Sequence, residues 1–280
     1  MSNQNTATPE RPPPAVKGDI VFLLSMGVIG GFYVAMILAL LVADATFTSL
    51  NDFKNALSSP EIQYSIRLSL FTCTISAALS LLVAVPVTYL MSHYRFPGKA
   101  ILDGILDIPI VLPPLVIGLS LLILFRAPWL GWLERHVTYE IPAVILAQFL
   151  VACAFAIRTL RVTFDQIDPR REQVALTLGC SRAQAFWRVV LPEARRGLIA
   201  ALTIAWARAL GEFGPILVFA GTTRFKTEVL ASTVFLELTV GNIEAAVAVS
   251  LLMVIAAVLV LVIVRGYGQG ISPWGRHQDP

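Results

Sequence analysis

Residues 168–192 read DPRREQVALTLGCSRAQAFWRVVLP. They lie between two long apolar runs and carry the punctuation of two short helices. Asp168 followed by Pro169 is an N-cap with proline at the first helical position, where a missing N–H costs nothing. Gly179 is the expected left-handed stop about ten residues on. Ser181 then caps a second helix, with Gln184 three residues later as its capping-box partner. Pro192 marks where that helix ends or kinks. Within it, Ala183, Phe186, Trp187, Val190 and Leu191 recur at the spacing of one helical face, and Arg182 and Arg188 lie off that face. Such an apolar stripe needs a cover. The pattern alone allows two: a lipid interface, or a groove in a soluble protein.

The sequence on either side of this loop belongs in a bilayer. Of 280 residues, 56% are hydrophobic and 14% charged, against about 25% charged in soluble domains; the mean hydropathy is +0.75. A membrane helix needs roughly 20 apolar residues. Six candidate spans follow: Ile20–Ala43, Leu68–Met91, Ile108–Phe125, Ile141–Ile157, Gly197–Gly221 and Ala245–Val264. The expected fold class is therefore an all-α integral membrane protein of six transmembrane helices with one prominent helical loop at 165–196. The domains would be a polar, proline-rich tail (1–19), a membrane domain (20–265) and a C-terminal tail (266–280). With the N-terminus inside, the inner segments hold fourteen Lys and Arg, including Arg170, Arg171, Arg182, Arg188, Arg195 and Arg196. The outer loops hold five: Lys54, Arg126, Arg135, Arg224 and Lys226. The positive-inside rule then puts both termini and the 165–196 loop in the cytoplasm.

Several chemistries find no support. Cys73, Cys153 and Cys180 are isolated, as are His93, His136 and His277, so no disulfide framework, metal site or catalytic cluster is expected. A net charge of +3 gives no case for nucleic acid. A phosphate-binding GxxxxGK[ST] loop is missing from the sequence, so ATP-driven work by this chain would need hydrolysis on another polypeptide.

Two spans carry unusual residues. Pro109, Pro113 and Pro114 sit in the third, where each removes a backbone hydrogen bond and bends the helix. Either they make a packing kink or they expose carbonyls to a pore. The fifth span carries Arg208-Ala209-Leu210-Gly211-Glu212-Phe213-Gly214-Pro215. Arg208 and Glu212 are four residues apart and share one face. They are either a structural ion pair or part of a water-filled path.

Gln173-Val174-Ala175, Gly179, Val189, Leu191 and Pro192 resemble the "EAA" signature of binding-protein-dependent ABC importer permeases of type I. The Gly179-to-Pro192 spacing agrees in full. The family's Glu position is Gln173 here, with Glu172 one residue earlier, about 100° round the helix. The resemblance implies that the loop forms coupling helices docked on an ATPase, through Glu172, Gln173, Ala175, Gly179, Phe186, Trp187, Val189, Leu191 and Pro192. IPIVLPPLVIG (108–118) and ARALGEFG (207–214) resemble permeases for molybdate, tungstate and sulfate. That likeness implies a translocation path near Pro113, Pro114, Arg208, Glu212, Phe213 and Gly214. It implies a transport subunit rather than an enzyme, with no cofactor of its own and ATP bound by a partner. The partners implied are an ATP-binding subunit pair, an extracytoplasmic substrate-binding protein, a second permease subunit (a homodimer) and membrane lipid, all at a bacterial inner membrane. Rival readings are an importer for a polyamine or ferric ion, a membrane enzyme, and a passive channel. An enzyme would need more ionisable groups at one depth, and a channel has no use for two capped amphipathic helices.

Overall fold

A computed structural model describes residues 17–269, with side chains over 20–262, as helices joined by short connections. The chain divides into two compact units at Phe47. The first contains α1 (Lys17–Phe47), apolar all round. The second holds α2 (Leu50–Ser58), α3 (Pro60–His93), α4 (Lys99–Val111), α5 (Pro114–Phe125), α6 (Gly131–Val137) and α7 (Ile141–Asp165). It continues through α8 (Pro169–Thr177), α9 (Arg182–Ala185), a π-helical turn (Phe186–Val190) and α10 (Leu191–Glu193). It closes with α11 (Arg195–Leu210), α12 (Gly214–Phe219), α13 (Leu230–Thr239) and α14 (Ile243–Gln269). The expected tails, 1–19 and 266–280, lie largely outside the described residues; α1 already begins at Lys17 and α14 runs to Gln269.

Among the described residues, α1, α3, α7 and α14 are long and apolar enough to cross a membrane, and the α4–α5 pair makes a fifth span if counted as one. The expected count of six is not reached, because two of the expected spans are broken. The third was expected as one kinked helix over Ile108–Phe125. Instead α4 and α5 meet at 111°. The cause is local. A residue before proline is pushed out of the helical region, and here two prolines follow in series. Leu112 (ψ 141°) and Pro113 (ψ 135°) are both extended, and α5 restarts with Pro114 at its first position. The expected fifth span, Gly197–Gly221, is likewise two helices. α11 ends at Leu210, and α12 begins at Gly214-Pro215.

The broken helices interlock. A Cβ on Gly214 would lie 2.7 Å from Pro114 Cβ, and one on Gly118 would lie 2.8 Å from Pro215 Cα. Each glycine thus admits the other helix's proline. The central seam is α3 against α7. On α3, Ser65, Ser69, Thr72, Ser76, Ser80, Ala84 and Thr88 form one buried stripe. On α7, Ala143, Ala147, Ala152 and Ala156 are fully buried. Small residues let backbones approach where lipid supplies no hydrophobic drive. The hydroxyls are satisfied locally: Ser80 and Thr88 donate to the carbonyls of Ser76 (2.7 Å) and Ala84 (2.6 Å). Ser76 also donates across the seam to the Ile145 carbonyl at 3.0 Å. Gly197 of α11 crosses α7 so closely that a Cβ would fall 2.1 Å from Thr163 Oγ1.

Gly214→Val is expected to destabilise the bundle by about 1–3 kcal/mol through overpacking on Pro114. A thermal-melt assay of the solubilised protein checks this; Gly131→Val, at a site with open space, serves as the control and should melt near the wild type.

Candidate functional site

The loop over 165–196 is a braced, two-helix element. Asp168 Oδ1 accepts from the Arg170 N–H at 2.9 Å, which starts α8. At its end Gly179 has φ +87°. The N–H of Gly179 donates to the Leu176 carbonyl at 3.0 Å and that of Cys180 to the Ala175 carbonyl at 3.1 Å, the paired bonds of a Schellman stop. A Cβ at Gly179 would meet nothing within 4 Å, so glycine is needed there for its left-handed backbone alone. Ser181 and Gln184 form the expected reciprocal capping box: Gln184 N–H to Ser181 Oγ at 3.2 Å, Ser181 N–H to Gln184 Oε1 at 2.9 Å.

The second helix differs from the expected single stripe ending at Pro192. Leu191 N–H donates to the Phe186 carbonyl, five residues back, so the chain widens into a π turn just before Pro192. Helical backbone then continues through Ala194 into α11. The wider turn breaks the 3.6-residue period over Phe186–Val190, and the five predicted apolar residues are unequally covered. Val190 is buried and Phe186 and Leu191 half-buried, whereas Ala183 and Trp187 are exposed. Trp187 is 65% exposed, Leu178 80% and Val174 56%. Of the other predicted loop residues, Ala175 is buried, Val189 half-buried, and Gln173, Gly179 and Pro192 exposed.

Glu172 turns inward. It is 9% exposed and accepts a 2.7 Å hydrogen bond from the Tyr89 hydroxyl of α3. His93 Nε2 lies 3.2 Å from its other oxygen. The Tyr89 ring stacks on His93 (4.4 Å) and meets Phe186 edge-on (4.8 Å). Arg182 Nη1 donates to the Tyr94 hydroxyl at 2.9 Å. Arg171 pairs with Glu193, tying α8 to α10. Beside the loop, Arg161 of α7 reaches Asp103 of α4 at 2.9 Å and Arg158 pairs with Asp107. Sequence reading missed Tyr89, His93, Tyr94, Asp103 and Asp107. The i, i+4 spacings Tyr89/His93 and Asp103/Asp107 were visible, but which element each would meet was not.

The predicted path residues sit at the two helix breaks. Arg208 Nη1 lies 3.0 Å from Glu212 Oε2, as their spacing suggested. Arg208 also covers the Phe155 ring of α7 at 5.5 Å. Glu212 is 1% exposed; an uncompensated charge at membrane depth costs about 2.5–3.5 kcal/mol on insertion scales. Phe213 packs on Phe235 at 5.2 Å. Gly214 is buried against Pro114, while Pro113 and Pro114 keep exposed faces. The two breaks are therefore brought together, through Gly214 and Pro114. In the 222–242 segment, Glu228 is fully buried, and burial pushes its carboxyl above the ordinary carboxylate range, with the Arg224 charge opposing.

The family described as "Binding-protein-dependent transport system inner membrane component" matches residues 84–273, a range that takes in both the loop and the two breaks. The chain belongs to this family. Among relatives of this permease, the sulfate transport system permease protein CysT of Escherichia coli (strain K12) is 30% identical over 249 residues, 86% of this chain and 90% of CysT. The molybdate/tungstate transport system permease protein WtpB of Pyrococcus abyssi is 32% identical over 195 residues, 69% of this chain and 75% of WtpB. A crystal structure of a bacterial ABC transporter involved in alginate import contains a chain that superposes with a TM-score of 0.70 at 17% identity, covering 90% of this permease and 96% of that chain. The same fold recurs at TM-score 0.71 in an alginate transporter in complex with a pentasaccharide-bound periplasmic protein. The permease is thus an all-helical, multi-pass membrane protein with the fold of ABC importer transmembrane subunits.

Gly179→Val is expected to strain the loop by about 1–2 kcal/mol or more, since only glycine takes the left-handed region freely. Transport should fall severalfold while membrane insertion and yield are kept, as measured by uptake normalised to immunoblotted protein.

Proposed function

We propose that this chain is the transmembrane subunit of an ATP-driven importer for a small tetrahedral oxyanion. The observation that carries the reading is the loop: two capped helices present Val174, Leu178 and Trp187 outward and run on through the π turn into α11, which bears Arg208. An exposed apolar ridge on a braced helix pair is the shape of a plug for a groove in a soluble partner. The partner is a pair of ATP-binding subunits, on which ATP is hydrolysed; this chain binds no cofactor. Arginine enrichment around the loop supports a cytoplasmic placement for it and for both termini, in a bacterial inner membrane. A second copy of the permease completes the pore, and an extracytoplasmic binding protein delivers the cargo.

Nucleotide-driven closure of the ATPase pair would carry the loop with it. Because the loop is continuous with α11, that displacement reaches the Arg208–Glu212 pair and the Gly214–Pro114 contact, where the path opens to one side at a time. Glu212 offsets the Arg208 field, so selectivity is assigned mainly to the binding protein.

Molybdate is the first cargo to test, with tungstate beside it. Sulfate is the second reading, favoured by the longer match to CysT. Proteoliposomes containing the permease, its ATPase and its binding protein should accumulate one of these anions only with ATP inside the compartment holding the ATPase. Uptake by the permease without the ATPase would contradict the proposal.

A further inference from the structure

The described route from loop to membrane runs along the chain into α11. A second route runs through side chains into α3. We infer that Tyr89 and Glu172 are positioning residues that clamp the first coupling helix, α8, to the end of α3, so that α3 moves with the loop when the ATPase works. The inference rests on the reading of the loop as an ATPase plug.

Four observations converge on it. Glu172 is the one carboxylate of α8, and it is turned away from the exposed ridge into the bundle, 9% exposed. One of its oxygens accepts from a hydroxyl eighty-three positions earlier, Tyr89 Oη at 2.7 Å, near the end of α3, and the other lies 3.2 Å from His93 Nε2 of the same helix. Both helices of the loop are held at the same place: Tyr89 also packs on Phe186 at 4.8 Å, and Tyr94 accepts from Arg182 at 2.9 Å. Finally, Ser92 donates to Asp165 at 2.6 Å, at the junction where α7 enters the loop. The last turns of α3 are thereby joined to the start, middle and second helix of the loop.

This assigns a consequence to the one-residue offset in the signature. At the signature position stands Gln173, exposed and uncharged, free to face a partner. One residue earlier, 100° round the helix, the carboxylate faces inward and serves the permease's own frame. A hydrogen bond to a carboxylate in a partly dry site is stronger than a neutral one. α3 in turn forms the main seam with α7, so a displacement taken up by Tyr89 is delivered to the bundle's centre rather than to α11 alone.

The test uses the complete transporter in proteoliposomes, with sulfate and molybdate as probes, and reads anion taken up per ATP hydrolysed. That ratio is insensitive to the amount of folded protein, so a purely structural defect would not move it. Tyr89→Phe keeps the ring on Phe186 and removes only the hydroxyl. It should lower the ratio about fivefold, which corresponds to about 1 kcal/mol. Glu172→Ala, which also removes the His93 contact, should lower it at least as far, and the double variant should be no worse than Glu172→Ala alone, because the Tyr89–Glu172 bond is shared. Glu172→Gln, whose amide oxygen still accepts from Tyr89, should retain most of the ratio. Co-purification of the ATPase should be unchanged throughout. An unaltered ratio in Tyr89→Phe, or additive losses in the double variant, would overturn the clamp while leaving the transport function standing. Failure of the wild-type permease to retain an ATPase would overturn the underlying reading and the clamp with it.

Discussion

In a lipid surround an apolar side chain gains little by touching another instead of an acyl chain, so helices must be held by close backbone approach and by internal polar bonds. This permease meets that constraint with small residues. The serine, threonine and alanine stripe of α3 meets the alanines of α7, Gly197 of α11 meets Thr163, and Gly118 and Gly214 each receive a proline. Larger side chains at these positions would separate the helices and leave the backbone-to-backbone contacts unmade.

The same constraint explains where the chain breaks. Unpaired backbone groups are tolerated in a membrane only against protein or a water-filled cavity. The helices that restart after the two bends interlock through Pro114 with Gly214 and Gly118 with Pro215, and the Arg208–Glu212 pair lies at the second bend. Two irregular segments and a largely buried ion pair thus share one region. That is costly for a passive scaffold and expected of a path that must open and close.

Much of this was legible in the sequence because it is local. The caps at Asp168 and Ser181, the left-handed Gly179, and the Arg208–Glu212 spacing each depend on a few adjacent residues. Four spans were equally plain from apolar length. The prolines of the third span announced a bend and the glycines of the fifth allowed a break, but the size of the 111° turn and the division of each span into two helices were not readable, because hydropathy averages over a window that runs across Pro113-Pro114 and Gly211. The π turn within the 183–191 stripe was hidden for a related reason: the pattern assumes a 3.6-residue period throughout. Least legible were the contacts of the loop with α3. Tyr89 and Glu172 lie 83 positions apart, and nothing near either residue specifies the other. The one hint was the displaced acid of the signature, visible as Glu172 beside Gln173, whose direction only the helix phase in three dimensions could give.

The loop is thus joined to the bundle twice, along the backbone into α11 and through hydrogen bonds into α3, and on the proposed reading both connections carry motion. Both matter only if the loop faces the compartment that holds ATP. Native Cys180, half-exposed between α8 and α9, can report this, since Cys73 and Cys153 are buried in helices. A membrane-impermeant maleimide should label Cys180 in inside-out vesicles and not in intact spheroplasts, and a bound ATPase should slow the labelling. Labelling of Cys180 from the outer face would contradict the account.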